Sequence, residues 1–196
     1  ANTTGAHQVA LGAFALDDNT TGGENTGLGY NALGGNTTGS DNTAVGHRAL
    51  DANTTGERNT AVGKDALGAN TTANSNIAIG YNALTTNTVG TRNIAVGAYA
   101  LEANTTANNN TAVGYNAGAD LTTGTANVAI GAYSLDAATT VSDNTAVGYY
   151  TLSANTTGDK NTCLGSGAMS VNTTGHSNVA VGYAALDANT TAHYNT

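Results

Sequence analysis

The amino-acid sequence predicts an all-β fold: a parallel β-solenoid, or β-roll, with one coil per 17 residues and about 11.5 coils in the whole chain. Glycine recurs every 17 residues from Gly12 to Gly182, with no insertion or deletion between copies. Each of these glycines ends a short stretch such as residues 144–148, Asn-Thr-Ala-Val-Gly. A fixed period of this size is typical of solenoids and fibres, in which each repeat stacks on its neighbour. The sequence therefore predicts one repeat domain over residues 1–196.

Composition narrows the classes of function before any single residue is considered. The chain has 196 residues and a net charge of −8, so nucleic acid is not an expected partner. No apolar run is long enough to predict membrane insertion by this segment. The polar, low-complexity composition is also seen in disordered chains, but the strict register argues against disorder. Both ends of the sequence fall inside a unit, so we expect a segment of a longer fibre.

Positions 2 to 4 of each unit, counted from its asparagine, are expected to form a short strand. Position 2 is Thr, Val or Ile, position 4 is Val, Ile or Leu, and both side chains lie on the same face of a strand. We predict that position 4 points into the coil and meets the leucine of position 9. The predicted core ladder consists of Val45, Val62, Ile79, Val96, Val113, Ile130 and Val147 with Leu50, Leu67, Leu84, Leu101, Leu135 and Leu152.

Position 3 carries only small residues, although the predicted strand would point it outward. Only Ala, Gly and Cys occur there, and the single cysteine, Cys163, excludes a disulfide within the chain. A second chain packed against this face would explain the restriction, and a narrow coil interior would explain it as well. The predicted interchain small face consists of Ala44, Ala61, Ala78, Ala95, Ala112, Ala129 and Ala146.

Two asparagine columns and a threonine pair complete the unit. Asparagine recurs at positions 1 and 12, and stacked side chains in a parallel solenoid can hydrogen-bond from coil to coil. The Asn-Thr-Thr sequence at positions 12 to 14 also matches an acceptor for N-glycosylation, so a glycosylated extracellular filament is a further alternative. We favour the structural ladder, because glycans would be only about 4.8 Å apart along the stack.

One stretch departs from the pattern in four places within 24 residues. Gly118 replaces the leucine of position 9, Leu121 and Ala138 replace the asparagine of position 12, and Val141 replaces the usual glycine of position 15. We predict that Leu121 turns inward and fills the volume that Gly118 leaves empty. The functional alternative is that this stretch forms a recess that binds a ligand.

The repeats resemble a known family of surface proteins. The stretches Asn-Thr-Ala-Val-Gly at 42–46, Asn-Ile-Ala-Ile-Gly at 76–80 and Asn-Val-Ala-Val-Gly at 178–182 resemble the Ser-Val-Ala-Ile-Gly core of YadA-like trimeric autotransporter adhesin heads. The longer unit, with Tyr-Asn-Ala-Leu and Asn-Thr-Thr-Gly, is similar to repeats of bacterial and phage tail fibres. The resemblance implies a left-handed roll, a homotrimer of side-by-side chains, and an extracellular place on a cell surface or virion. The 17-residue period is longer than the adhesin unit, and we expect its extra residues to enlarge a turn.

The expected function is that of a non-enzymatic structural fibre or adhesin stalk or head that spaces or presents a surface-binding tip. No catalytic, phosphate-binding or calcium-binding pattern is present, so neither a cofactor nor a metal is expected. Besides the chain itself, a host-surface glycan or protein is a possible partner. The alternative is an ice-binding or carbohydrate-binding solenoid that uses its threonine or tyrosine columns. Rings at position 6 are the candidate surface-binding aromatics: Tyr30, Tyr81, Tyr115, Tyr149 and Tyr183.

Overall fold

The computed structural model describes residues 2–196 and confirms the predicted fold class. Eleven three-residue strands form one parallel sheet in sequence order, and no helix occurs in residues 2–196. Consecutive strands are 17 residues apart and in register, so that Thr43 pairs with Thr60 and Ala44 with Ala61. The strands are β1 Val9–Leu11, β2 Thr26–Leu28, β3 Thr43–Val45, β4 Thr60–Val62, β5 Ile77–Ile79, β6 Ile94–Val96, β7 Thr111–Val113, β8 Val128–Ile130, β9 Thr145–Val147, β10 Thr162–Leu164 and β11 Val179–Val181.

Hydrogen bonds connect the coils outside the strands as well. The amide of Thr37 donates to the carbonyl of Thr54 at 2.9 Å, and the amide of Leu50 donates to the carbonyl of Ala66 at 3.0 Å. Both bonds join one coil to the next, at position 13 and between positions 9 and 8. Stacking therefore satisfies backbone polar groups around most of the coil, which explains how segments without regular secondary structure keep their register.

The strand faces the opposite way from our prediction. Alanine at position 3 points into the coil and has 0% to 1% of its surface exposed at all seven sites predicted to form an interchain face. The predicted contact of these alanines with a second chain is therefore wrong, and the narrow interior is the correct explanation of their size. The corrected residues are Ala44, Ala61, Ala78, Ala95, Ala112, Ala129 and Ala146.

Position 4 points outward, so half of the predicted core ladder is wrong. Ile79 is 40% exposed and Ile130 is 38% exposed, and the valines at this position are partly exposed. The residues corrected in this way are Val45, Val62, Ile79, Val96, Val113, Ile130 and Val147. The leucines of position 9 do lie inside with no exposed surface: Leu50, Leu67, Leu84, Leu101, Leu135 and Leu152.

The thinness of the coil decides which strand face turns inward. A Cβ placed on Gly27, at position 3, would lie 3.0 Å from the carbonyl oxygen of Ala32 and 3.3 Å from Cγ of Leu16. The opposite wall and the leucine of the preceding coil therefore leave space for a methyl group and little more. A valine or isoleucine at position 3 would overpack the interior, so the branched side chains take the outer face.

The corners depend on unusual backbone conformations. Gly46, at position 5, has φ +138°, and a Cβ on it would lie 2.5 Å from the carbonyl oxygen of Gly63 in the next coil. Only glycine fits there. Positions 7, 9 and 17 also adopt positive φ, although most of their residues are not glycine; Arg48, Leu50 and Arg58 are one such set, at 54° to 57°.

The two asparagine columns form the predicted ladders inside the coil. At position 12, Nδ2 of Asn53 donates to Oδ1 of Asn36 at 2.7 Å and to the carbonyl of Gly56 at 3.0 Å. At position 1, the amide of Asn42 donates to Oδ1 of Asn25 at 3.0 Å, and its Nδ2 donates to the carbonyl of Gly56 at 2.8 Å. These asparagines have no exposed surface. The interior is thus partly apolar and partly amide, and the amides of these four asparagines are hydrogen-bonded.

The irregular stretch is filled as the sequence predicts. Leu121 is fully buried, and a Cβ on Gly118 would lie 3.0 Å from Cδ1 of Leu121 and 3.2 Å from Cδ2 of Leu101. The side chain of Leu121 therefore occupies the space left by Gly118, which confirms the predicted compensation. Ala138 and Val141 belong to the same buried cluster.

Candidate functional site

The outside of the coil presents three regular surfaces that could contact another molecule. We call them the strand face (positions 2 and 4 of β1 to β11), the threonine corner (positions 13 and 14) and the aromatic edge (the rings at positions 6 and 7). The side chains of each surface recur from coil to coil with a rise of about 4.8 Å. A partner of any of them would therefore meet a periodic surface.

The strand face carries no charged residue in its 22 positions, although the chain has a net charge of −8. Position 4 is always Val, Ile or Leu, and position 2 is Thr in six strands and Val or Ile in five. Ile77 and Ile79 are 37% and 40% exposed, in the middle of the sheet. Large apolar patches on soluble proteins mark contact surfaces. This face is not evident from the sequence, because the pattern at positions 2 to 4 predicts that position 4 points into the coil.

The threonine corner differs from the strand face in how its hydroxyls are used. At position 13, Oγ1 of Thr37 donates to the carbonyl of Thr54 at 2.9 Å, and Oγ1 of Thr54 donates to the carbonyl of Thr71 at 3.0 Å. Position 14 is exposed, as at Thr38 and Thr55. The position-13 hydroxyls therefore serve the coil stack, and only the position-14 column is freely accessible.

The asparagines of the glycosylation sequences are inaccessible through most of the chain. Asn36, Asn53 and Asn70 have no exposed surface, and their amides take part in the ladder. An oligosaccharide on any of these nitrogens would require the coil to open. This burial favours the structural role of the Asn-Thr-Thr sequence over the glycosylated filament.

The aromatic edge is continuous through the middle of the solenoid. The rings of Tyr81 and Tyr99 have centroids 5.3 Å apart, those of Tyr99 and Tyr115 are 5.8 Å apart, and those of Tyr115 and Tyr133 are 5.4 Å apart. All three contacts are edge-to-face, the geometry that aromatic pairs prefer. Burial between neighbouring rings raises the pKa of the Tyr99 and Tyr133 phenols. Of the candidate surface aromatics, Tyr81 and Tyr115 are thus part of this row.

The other candidate aromatics lie at the two ends of the row or beyond it. Tyr30 packs edge-to-face against Phe14 at 5.6 Å and stacks on the ring of His47 at 5.2 Å. Tyr149 contacts Tyr150 at 4.5 Å. Tyr183 is 86% exposed and makes no ring contact with any residue from 2 to 196. The five candidates therefore do not form one uninterrupted surface.

Cysteine, histidine and acidic side chains are the candidates for a reactive or metal-binding centre. Burial raises the pKa of the Cys163 thiol to about 12, which keeps it protonated and inert at neutral pH. Its Sγ lies 3.3 Å from Sδ of Met169 in the interior. Within the described residues, no group of three or more His, Cys, Asp or Glu side chains is arranged to hold a metal ion. Nor does that part of the chain contain a helix able to cross a membrane.

Comparison with known proteins identifies no relative. The chain matches no protein-family model, and searches of curated proteins and of solved structures find no significant match. The resemblance to adhesin heads and tail fibres therefore stays a prediction.

Proposed function

We propose that the chain is a segment of a non-enzymatic structural fibre, in which copies of the solenoid associate side by side through the strand face. The observation that carries the proposal is the absence of charge from all 22 positions of that face in a chain of net charge −8. Two acidic copies repel each other, and an uncharged apolar strip is the surface on which they can approach. Such a fibre would space or present a tip on a cell surface or virion.

The geometry of the strand face suits a repeated contact between copies. Eleven strands at about 4.8 Å give a strip about 50 Å long. The side chains at positions 2 and 4 recur with the same rise in every copy, so a contact formed at one coil is repeated at the others. Each added coil therefore adds the same contact area, and the contact between copies becomes more stable as the fibre becomes longer.

Substitution on the strand face tests the association. We expect sedimentation equilibrium of the purified chain to show an oligomer, and we expect the double change Val62→Glu and Val96→Glu to give a monomer with an unchanged circular dichroism spectrum. Both valines are partly exposed, so the coil tolerates the change. The matched control is Thr38→Glu with Thr72→Glu on the threonine corner, also two coils apart and exposed, which should leave the oligomer intact. A monomeric unmodified chain at high concentration would contradict the proposal.

Ice binding is a second candidate function, and one observation on the strand face favours it. Threonine occupies position 2 in six strands, and none of these hydroxyls has a hydrogen-bond partner among residues 2–196, unlike those of position 13. An uncharged sheet with free hydroxyls and methyl groups at fixed spacing could order water. In this second proposal the ice-binding surface is the strand face and not the threonine corner. Thermal hysteresis that Val62→Glu with Val96→Glu abolishes, in a chain that is monomeric, would favour ice binding over the fibre.

A further inference from the structure

The aromatic edge lacks a ring at two coils. At the first, the Lys64 ammonium lies over the Tyr81 ring, 5.1 Å from its centroid. At the second, Ser166 and Gly167 occupy positions 6 and 7, and no long side chain fills the break. Tyr149 and Tyr150 stand on the coil before this break, and Tyr183 stands on the coil after it. A Cβ on Gly167 would meet no atom within 4 Å, so the space above it is open. The result is a cavity of about 480 Å³, which we call the notch.

The backbone continues through the notch without disturbance. The amide of Gly167 donates to the carbonyl of Tyr149 at 2.9 Å, and the amide of Ala184 donates to the carbonyl of Ser166 at 3.0 Å. The notch therefore results from missing side chains on an intact stack, and its floor is backbone that the hydrogen bonds between coils hold in place. A preformed site of this kind binds without the cost of ordering a loop.

The spacing of the notch distinguishes it from the rest of the aromatic edge. Rings on adjacent coils are separated by a rise of about 4.8 Å, which leaves no space for another ring between them. Tyr149 and Tyr183 are two coils apart, or about 9.5 Å along the stack. A six-membered ring in van der Waals contact with two aromatic planes needs at least about 7–8 Å between those planes. The notch is thus the place on the central and C-terminal aromatic edge where one such ring fits.

The remaining wall of the notch is polar. It contains the hydroxyls of Ser166 and Ser170, which have no side-chain hydrogen-bond partner in residues 2–196, and the exposed carboxylate of Asp187. Hydroxyls both donate and accept, and a carboxylate accepts. Aromatic rings beside such groups suit a ligand with an apolar face and a rim of hydroxyls. The carboxylate and the net charge of −8 disfavour an acidic ligand.

We propose that the notch binds a neutral hexopyranose unit of a glycan. The C–H face of the sugar stacks on Tyr183 or Tyr149, and its hydroxyls exchange hydrogen bonds with Ser166, Ser170 and Asp187. The proposal does not depend on self-association, because the notch lies on the aromatic edge and not on the strand face. It assigns a specific ligand class to one coil, whereas the rest of the aromatic edge has a packing role.

Saturation-transfer difference NMR tests the proposal with three neutral probes at millimolar concentration: the methyl glycosides of glucose, galactose and mannose. We expect saturation transfer to the ring protons of at least one glycoside. Gly167→Tyr should weaken binding at least about tenfold, because a tyrosine fills the notch. Tyr150, at the same position of the preceding coil, has φ 52° against 69° for Gly167, so the backbone accepts the change. Tyr183→Ala should have a similar effect.

The matched control is Tyr81→Ala, which removes a ring from the uninterrupted part of the aromatic edge and should leave the transfer unchanged. Circular dichroism checks that each variant remains folded. No transfer to any of the three glycosides would overturn the proposal. Transfer that survives Gly167→Tyr, or that Tyr81→Ala abolishes, would place sugar contact outside the notch and overturn it equally.

Discussion

Two regions of the solenoid fill the same interior volume with different chemistry. Between Asn19 and Asn87, position 12 is always asparagine, and amide hydrogen bonds of 2.7 to 3.2 Å join the consecutive coils. Between residues 118 and 141, leucine and alanine take this position, and Leu121 fills the space beside Gly118. The coil therefore requires filled volume and paired polar groups, and it does not require a particular residue at position 12.

The asparagine ladder is broken next to the apolar stretch. Oδ1 of Asn87 and Nδ2 of Asn104 are buried and have no hydrogen-bond partner among the described residues. Oδ1 of Asn104 accepts instead from the amide of Ala107, within its own coil, at 3.1 Å. The break thus lies between two asparagines, one step before Leu121, and an unpaired buried group costs about 1–3 kcal/mol.

The largest expected effect comes from introducing leucine at position 12 in the region where asparagine occupies this position in every coil. Asn53→Leu removes the hydrogen bonds to Asn36 and Gly56 and adds volume beside Leu50, which already fills the interior. We expect the free energy of unfolding in urea to fall by about 3–5 kcal/mol. Adding Leu50→Gly should recover part of this loss, because it recreates the pairing of Gly118 with Leu121. A double variant less stable than the single one would contradict the comparison.

The reverse exchange in the apolar stretch should be slightly less costly. Leu121→Asn leaves a cavity beside Gly118 and buries an amide, so we expect a loss of about 2–5 kcal/mol. Adding Gly118→Leu restores the regular unit and should restore most of the stability, with urea denaturation as the measurement. If the single substitution leaves stability untouched, or the second fails to rescue it, then Leu121 does not compensate for Gly118.

Much of this architecture could be predicted from the sequence. Stacking puts equivalent positions of successive coils in the same environment, so the residues at each position can be compared from coil to coil. The 17-residue register, the strands, the asparagine ladders, the inward leucines and the role of Leu121 all follow from reading positions down the stack. The inward face of the strand did not follow. Alternation at positions 2 to 4 fits either orientation, and burial of β-branched residues is the usual choice.

The deciding quantity was the thickness of the coil, which no single column reveals. The opposite wall comes close enough to position 3 to admit only a methyl group or a thiol, as the distances at Gly27 show. The restriction of this position to Ala, Gly and Cys was the available signal, and its narrow-interior explanation was correct. The notch could not be predicted either, because the absence of Tyr at 166 and 167 acquires meaning only once Tyr149 and Tyr183 are known to flank an open space.

Backbone strain gives a smaller effect that both regions share. Lys160 has φ +60° on an exposed corner, a conformation that costs a non-glycine residue about 1–2 kcal/mol. Lys160→Gly should therefore leave the free energy of unfolding unchanged or raise it by up to about 1 kcal/mol. Thr174→Gly, at an exposed site without positive φ, is the control and should lower it by about 0.5–1 kcal/mol. Equal losses for both would argue against strain at Lys160.

The smallest effect concerns a carboxylate in the apolar stretch. Burial raises the pKa of Asp136, and its Oδ1 has no partner among the described residues. When the pKa of a carboxyl is higher in the folded state, the folded protein loses stability as pH rises from below 3.8 through the pKa of the folded state. We expect Asp136→Asn to remove this loss and to raise the melting temperature slightly at neutral pH but not at pH 3, while Asp143→Asn does neither. A melting temperature that Asp136→Asn lowers at neutral pH would contradict the assignment.

The orientation of the strand is the central claim, and thiol labelling at two adjacent positions tests it most directly. Cys163 lies inside at position 3 of β10, and Leu164 is 49% exposed at position 4. At dilutions where the chain is monomeric, we predict that a maleimide reagent leaves native Cys163 unmodified until denaturant is added. In Cys163→Ala with Leu164→Cys, the new thiol should react at once. Rapid labelling of native Cys163 together with protection at position 164 would show that the strand faces the other way.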